Sequence, residues 1–187
     1  MDSIINAFLS QKKENIKEAK KAISQILNQH YDEKWKRKQG VEATQKLRSL
    51  RDTFIKLSES KNENKRLAGI KGLGTMSCSL IFEEKIDKMI ELFFKTIIDD
   101  NGYIRLASAN TFGYIRSGLT EDTTITDQIY AEVYLLMIEL LDSENNPKKR
   151  KSIEIALGKL YCPHLESILL NAGYVKNNNS KKLHFTT

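Results

Sequence analysis

The chain has 187 residues, 30 Lys/Arg against 24 Asp/Glu and a formal net charge of +6. That is long enough for one domain with a real core. Two prolines, sparse glycine and the absence of alternating β-branched runs exclude a strand-rich fold and point to long helices. No apolar run approaches the roughly 18–20 residues of a membrane span. The start, Met1 to Ile5, lacks a basic n-region and an apolar h-region, so no secretory signal is expected. Cys78 and Cys162 form neither a disulfide framework nor a metal motif and read as small, partly buried residues of a reduced cytoplasmic protein. The charge is segregated. Residues 1–51 carry 12 basic against 6 acidic side chains, residues 52–145 carry 10 against 16, and residues 146–187 carry 8 against 2. A basic surface along the whole length, as nucleic-acid binding favours, is not what this pattern describes.

From the N-terminus, residues 3–29 place Ile5, Phe8, Leu9, Ile16, Ala19, Ile23, Ile26 and Leu27 near helical spacing, with a polar gap at 10–15 where a bend fits. Capping the exposed apolar face of the first helix pair is its expected role. Tyr31 to Gln39 is a polar joint or short helix around Trp35, and Gly40 punctuates it. Three helix pairs come next. The first helices are expected over 41–58, 83–99 and 126–142, and the second helices over 62–77, 101–117 and 146–161. A further short helix at 163–173 covers the far end. The polar tail, 175–187, is expected to be mobile.

The pairs share a pattern. Arg66, Arg105 and Arg150 are each followed by a small residue two positions on and by a glycine (Gly74, Gly113, Gly158) eight positions on. Successive offsets are 39 and 45 residues. Superposing the arginines aligns Leu47, Ile86 and Ala131, then Leu50, Met89 and Tyr134, then Phe54, Phe93 and Ile138 in the first helices. In the second helices it aligns Leu73, Phe112 and Leu157, then Met76, Ile115 and Leu160. A period of this size is the mark of stacked supersecondary units. The turns inside the pairs (59–62, 99–102 and 142–147) are rich in Asn and acidic residues, which suit the positive N-terminal end of the second helix. Pro147 fits a first helical turn.

These pairs resemble HEAT repeats of the armadillo-like α-solenoid family over residues 41–161. In that family an acidic residue in the turn and an Arg six positions on form a ladder between units. Asp99 with Arg105 and Glu144 with Arg150 hold that spacing, while Ser60 stands in the acidic place of the first unit, beside Glu59. The proline often found in the family's first helix is absent. The resemblance implies an all-α fold: an α-solenoid of about three HEAT-like helical hairpins with capping helices at both ends. Its parts are an N-terminal cap and joint (1–40), three repeats (41–161) and a C-terminal cap (162–174) within one domain, 1–174.

The function implied is a non-catalytic cytoplasmic adaptor or scaffold that binds a protein or peptide on its repeat surface. The candidate partner-binding patch is Lys148, Lys149, Arg150 and Lys151, a cluster suited to phosphates or an acidic peptide, with a solvated helix face as the plain alternative. A second basic and aromatic patch is Lys34, Trp35, Lys36, Arg37 and Lys38. Arg66, Asp99, Arg105, Glu144 and Arg150 are assigned to a structural ladder. The competing reading is a nucleic-acid binder with a glycosylase-like groove, for which Lys65, Arg66, Lys71, Arg105 and Arg116 would have to converge on one surface. No catalytic, cofactor or metal site is expected. His30, His164 and His184 are unpaired at metal spacing, and Cys162-Pro163-His164 reads as a helix-ending turn rather than an activated thiol.

Overall fold

The computed structural model describes residues 1–35, 40–76, 84–117, 127–161, 164–171, 175–176 and 185–186; for 30–35, 40, 113–117, 127 and the last two pairs the description is of the backbone. The elements are α1 (Asp2–Leu9), α2 (Lys13–Trp35), α3 (Gly40–Ser58), α4 (Glu63–Met76), α5 (Ile86–Ile97), α6 (Gly102–Ser117), α7 (Asp127–Ser143), α8 (Pro147–Leu160) and α9 (Leu165–Asn171). Two dipeptide strands, β1 (Val175–Lys176) and β2 (Phe185–Thr186), pair antiparallel within the tail. The fold is thus all-helical in its body. No helix among the described residues is long and apolar enough to cross a membrane. The inter-pair segments expected at 78–82 and 118–125 lie outside the described residues.

Each second helix begins the same way. The side-chain oxygen of Asn62 accepts from the Lys65 amide at 3.1 Å, that of Asn101 from Tyr103 at 2.9 Å, and that of Asn146 from Lys148 at 2.9 Å. Each asparagine carbonyl then accepts from the amide of the recurring arginine, at 3.0, 3.1 and 2.9 Å. Asparagine suits this place because its short amide reaches back to amides that have no partner inside the helix.

The segment expected over 3–29 is two helices, broken at Ser10 to Lys12. Gln11 sits in the left-handed region at φ 54°, unusual for a residue with a Cβ and costing about 1 kcal/mol. Its own side chain offsets that cost. Nε2 donates to the Phe8 carbonyl at 2.7 Å, and Oε1 accepts from Lys71 Nζ of α4 at 2.8 Å. Lys71 is half-buried, and its ammonium is pushed below the usual lysine range, first by burial and then by Lys20.

α1 packs against α2 and α4, α2 against α3, and α3 against α4; then α4, α6 and α8 pack one after another, with α5 on α6, α7 on α8 and α9 on α7. The core is continuous through these contacts. Phe8 meets Phe54 edge-on at 5.2 Å between centroids, and Phe112 takes both Phe93 and Phe94 at 5.8 Å. Fully burying a side chain of this size stabilises by roughly 1.5–3 kcal/mol. Gly72 lets α4 lie directly on α3, since a Cβ there would fall 2.3 Å from the Phe54 ring.

Burial follows most of the expected stripe in the first two units: Leu47, Leu50, Phe54, Met89, Phe93, Leu73 and Phe112 are buried, while Ile86 is half-buried. The third first-helix differs. Ala131 is buried, but Tyr134 and Ile138 are only half-buried, and Tyr130, Val133 and Met137 line the core instead. The spacing to the cap differs. Phe54 and Phe93 each lie eight residues before their capping asparagine, whereas Met137 lies nine before Asn146. One extra residue rotates the helix's sequence by about 100° relative to its cap.

Candidate interaction surface

The three arginines do one job in common. Arg66 Nη1 donates to the carbonyls of Ser60 and Lys61 at 3.1 and 2.8 Å. Arg105 Nη1 donates to those of Asp99 and Asp100 at 2.7 and 2.9 Å. Arg150 Nη1 donates to Glu144 at 2.8 Å and to Leu141. Each guanidinium hooks over the hairpin turn of its own unit, satisfying carbonyls the preceding helix leaves open.

Between units the atoms differ from the spacing argument. Asp99 does not pair with Arg105 but with Arg66 of the preceding unit, through Nε at 2.9 Å and Nη2 at 3.2 Å. Both side chains are largely buried, at 20% and 11% exposure. The second junction has other parts: Arg105 Nε donates to Ser152 Oγ at 3.3 Å, and Lys149 Nζ meets Asp100 at 2.9 Å. Glu144 turns back to accept from the Asn146 amide at 2.8 Å and, among the described residues, takes no arginine. Asn101 adds a bridge, donating from Nδ2 to Glu63 at 2.8 Å.

A cluster that the sequence does not announce joins α3 to the start of α5. Glu84 accepts from Arg48 Nε at 3.0 Å and from Arg51 Nη1 at 2.7 Å, while Asp52 accepts from Arg51 at 2.9 Å and from Lys85 at 3.0 Å. Arg51 is buried, at 4% exposure. The hydrogen bond from Arg48 lowers the Glu84 carboxyl below the ordinary range; burial opposes it, and Arg51 adds to it. For Asp52, burial pushes upward and the bonds from Arg51 and Lys85 outweigh it, leaving the group lowered. Carboxyls lowered in the folded state stabilise above their unfolded pKa, about 4, and lose that contribution as pH falls through the lower folded value. Unfolding by urea should therefore show a midpoint flat above about pH 5 that falls below it. Glu84→Gln should flatten part of that acid limb. An unchanged acid limb in the variant would remove Glu84 from the account.

Of the candidate patch, Lys148 and Lys151 are exposed, Lys149 and Arg150 half-buried. Lys149 and Arg150 are engaged as above, and Lys151 pairs with Glu154 at 3.2 Å. Of the second patch, only the backbone of Lys34 and Trp35, at the end of α2, is described. Lys36, Arg37 and Lys38 lie outside the described residues. Of the groups a nucleic-acid groove would need, Arg66 and Arg105 are folded onto carbonyls and Lys71 onto Gln11. Lys65 is exposed, and the Arg116 side chain is not described. Among the described residues no group of three His, Cys, Asp or Glu is placed to hold a metal ion. Cys78, Cys162 and His184 lie outside them.

One feature of α6 stands outside the patterns described for the sequence. Tyr103 is 73% and Leu106 48% exposed, one turn apart on the helix between α4 and α8. The signal lies in the superposed repeats themselves: the positions equivalent to Leu106 are Leu67, which is buried, and Lys151. Neither the scan against protein-family models nor the search of curated proteins finds a match to this chain.

Proposed function

We propose that the chain is a non-catalytic HEAT-like adaptor that binds a protein or peptide on the surface of its second helices, in the cytoplasm. The carrying observation is the threefold recurrence of one local device, an asparagine cap with an arginine hooked over the turn four residues on, in helices that pack one after another. Repetition of that kind serves stacking of like units, and stacked helices offer an extended, preorganised face that loses little ordering entropy on binding. Tyr103 and Leu106 are the exposed apolar anchors on that face, and tyrosine contributes disproportionately where it is buried at an interface.

The test compares capture from the native cell by the wild-type chain and by a Tyr103→Ala/Leu106→Asp variant. Both positions are exposed, so the variant should melt with the wild type. A protein retained at least tenfold better by the wild type supports the reading. Equal capture by both chains refutes the assigned face. Recovery of nucleic acid alone, with an affinity that falls steeply with salt, favours the competing reading.

A further inference from the structure

The first two units differ at matching positions on their second helices. Leu67 and Lys71 lie one turn apart on one face of α4, as Leu106 and Asn110 do on α6, and the recurring arginine puts the two pairs in register. Leu67 is 8% exposed against 48% for Leu106. Lys71 is half-buried, whereas Asn110 is exposed. A preceding neighbour in the row does not by itself bury this face: α6 has α4 before it, and α8, whose matching Lys151 is exposed, has α6 before it. On α4 the face is taken by α1. The two helices pack together, and Gln11, just beyond α1, accepts from Lys71 Nζ at 2.8 Å. Two features leave α1 loosely held. It joins α2 through Ser10 to Lys12, with Gln11 in the left-handed region at φ 54°, where a residue with a Cβ is strained. Between α1 and α2 runs an open groove of about 510 Å³, lined in part by Asn6 and Ala7 on one side and by Asn15, Glu18, Ala19 and Ala22 on the other. That seam forgoes contacts which a close-packed interior would make.

We propose that α1 is a detachable strap, an intramolecular helix that covers the first unit's share of the second-helix face and gives way to an apolar helix of a partner protein. The proposal rests on that face being the binding surface. The strap itself displays the chemistry of its replacement. Asp2–Leu9 carries Ile4, Ile5, Phe8 and Leu9 and no basic residue. Ile4 and Phe8 are buried, and Phe8 meets the Phe54 ring of α3 edge-on. Release of α1 uncovers Leu67 beside the already exposed Tyr103 and Leu106 of α6, so the apolar face grows from one unit to two. While α1 is in place, only the α6 part is open to a partner.

The probe is a labelled synthetic peptide copying residues 1–12, titrated with the full chain and followed by fluorescence anisotropy. The wild-type chain, covered by its own α1, should bind the peptide roughly tenfold or more weakly than a full chain carrying Phe8→Ala, whose strap has lost its buried ring. A peptide that itself carries Phe8→Ala should saturate neither chain. Native-state hydrogen exchange of the wild-type chain is the second measurement and needs no variant. Amides of α1 should exchange roughly tenfold or more faster than those of α3 and α4, at a rate unchanged by low urea, as local opening requires. Equal affinity of the two chains for the peptide, no binding by either included, overturns the proposal. So does equal binding of the altered peptide. Exchange of α1 in step with α3 and α4 overturns it as well, since the helix would then be a permanent part of the core. If thermal melting finds the Phe8→Ala chain unfolded, the exchange measurement decides alone. The Tyr103→Ala/Leu106→Asp comparison reads α6 without the strap. A strap that never opens therefore leaves the proposed face standing, while equal capture by both of those chains removes the face whatever α1 does.

Discussion

Gly69→Ala should lower the thermal midpoint by roughly 5–10 °C, corresponding to about 2–3 kcal/mol for a domain of this size. A Cβ at this position on α4 would lie 2.5 Å from the Ser58 amide nitrogen and 2.6 Å from the Phe54 carbonyl oxygen, both backbone atoms of α3. The obstruction cannot be relieved by turning a side chain, so the two helices must separate. Separation loosens Phe54, which is fully buried and stacked edge-on against Phe8. Alanine's better helix propensity, worth about 1 kcal/mol over glycine, reduces the loss without reversing it. Gly158→Ala is the matched control. Nothing lies within 4 Å of a Cβ there, and propensity alone should raise stability by about 0.5–1 kcal/mol. A Gly69→Ala chain that melts with the wild type would mean that α3 and α4 are not in backbone contact.

Asp99→Ala should cost about 2–3 kcal/mol, because it strands a largely buried guanidinium. The same carboxylate also accepts from the Asn101 amide at 2.8 Å, so its removal loosens the turn that positions the α6 cap. A double-mutant cycle separates the two effects. Arg66→Lys with Asp99→Asn should show a coupling of about 1.5–2.5 kcal/mol, measured from urea midpoints. The same cycle for Glu144→Gln with Arg150→Lys should show coupling near zero, since Glu144 points to the Asn146 amide and Arg150 binds only its backbone oxygen. Equal coupling in both cycles would contradict the observed pairing. Spacing alone treats Asp99–Arg105 and Glu144–Arg150 as equivalent; the geometry makes neither of them an ion pair.

The contrast shows what kind of information the chain carries locally. Helix content, the polar turns and the second-helix starts were legible, because a cap asparagine, its amides and the arginine four residues on are close along the chain. The apolar stripe was largely legible in α3, α4, α5 and α6, where the spacing from Phe54 and Phe93 to the capping asparagine is constant, although Ile86 is only half-buried. It failed in α7, where one added residue before Asn146 moved burial to Tyr130, Val133 and Met137. Lys148 to Lys151 stood out as one charge run, yet its members serve different ends: a junction, a turn hook, a surface pair with Glu154 and a lysine left in solvent.

The sequence by itself determined that this protein is built of helices and where most of them start, since periodicity and capping act over three or four residues. It also marked Arg66, Arg105 and Arg150 as equivalent positions, although as a ladder between units rather than as the hooks over their own turns that they form. Tertiary structure decided which carboxylate each cation takes: Asp99 for Arg66, Asp100 for Lys149, and Glu84 for Arg48 and Arg51 together. It decided too that Gly69 is a point of backbone contact while Gly158 faces open space. Partners more than thirty residues apart meet only when helices pack. The packing depends on turn length and on the fit of many side chains at once, which no short window of residues encodes.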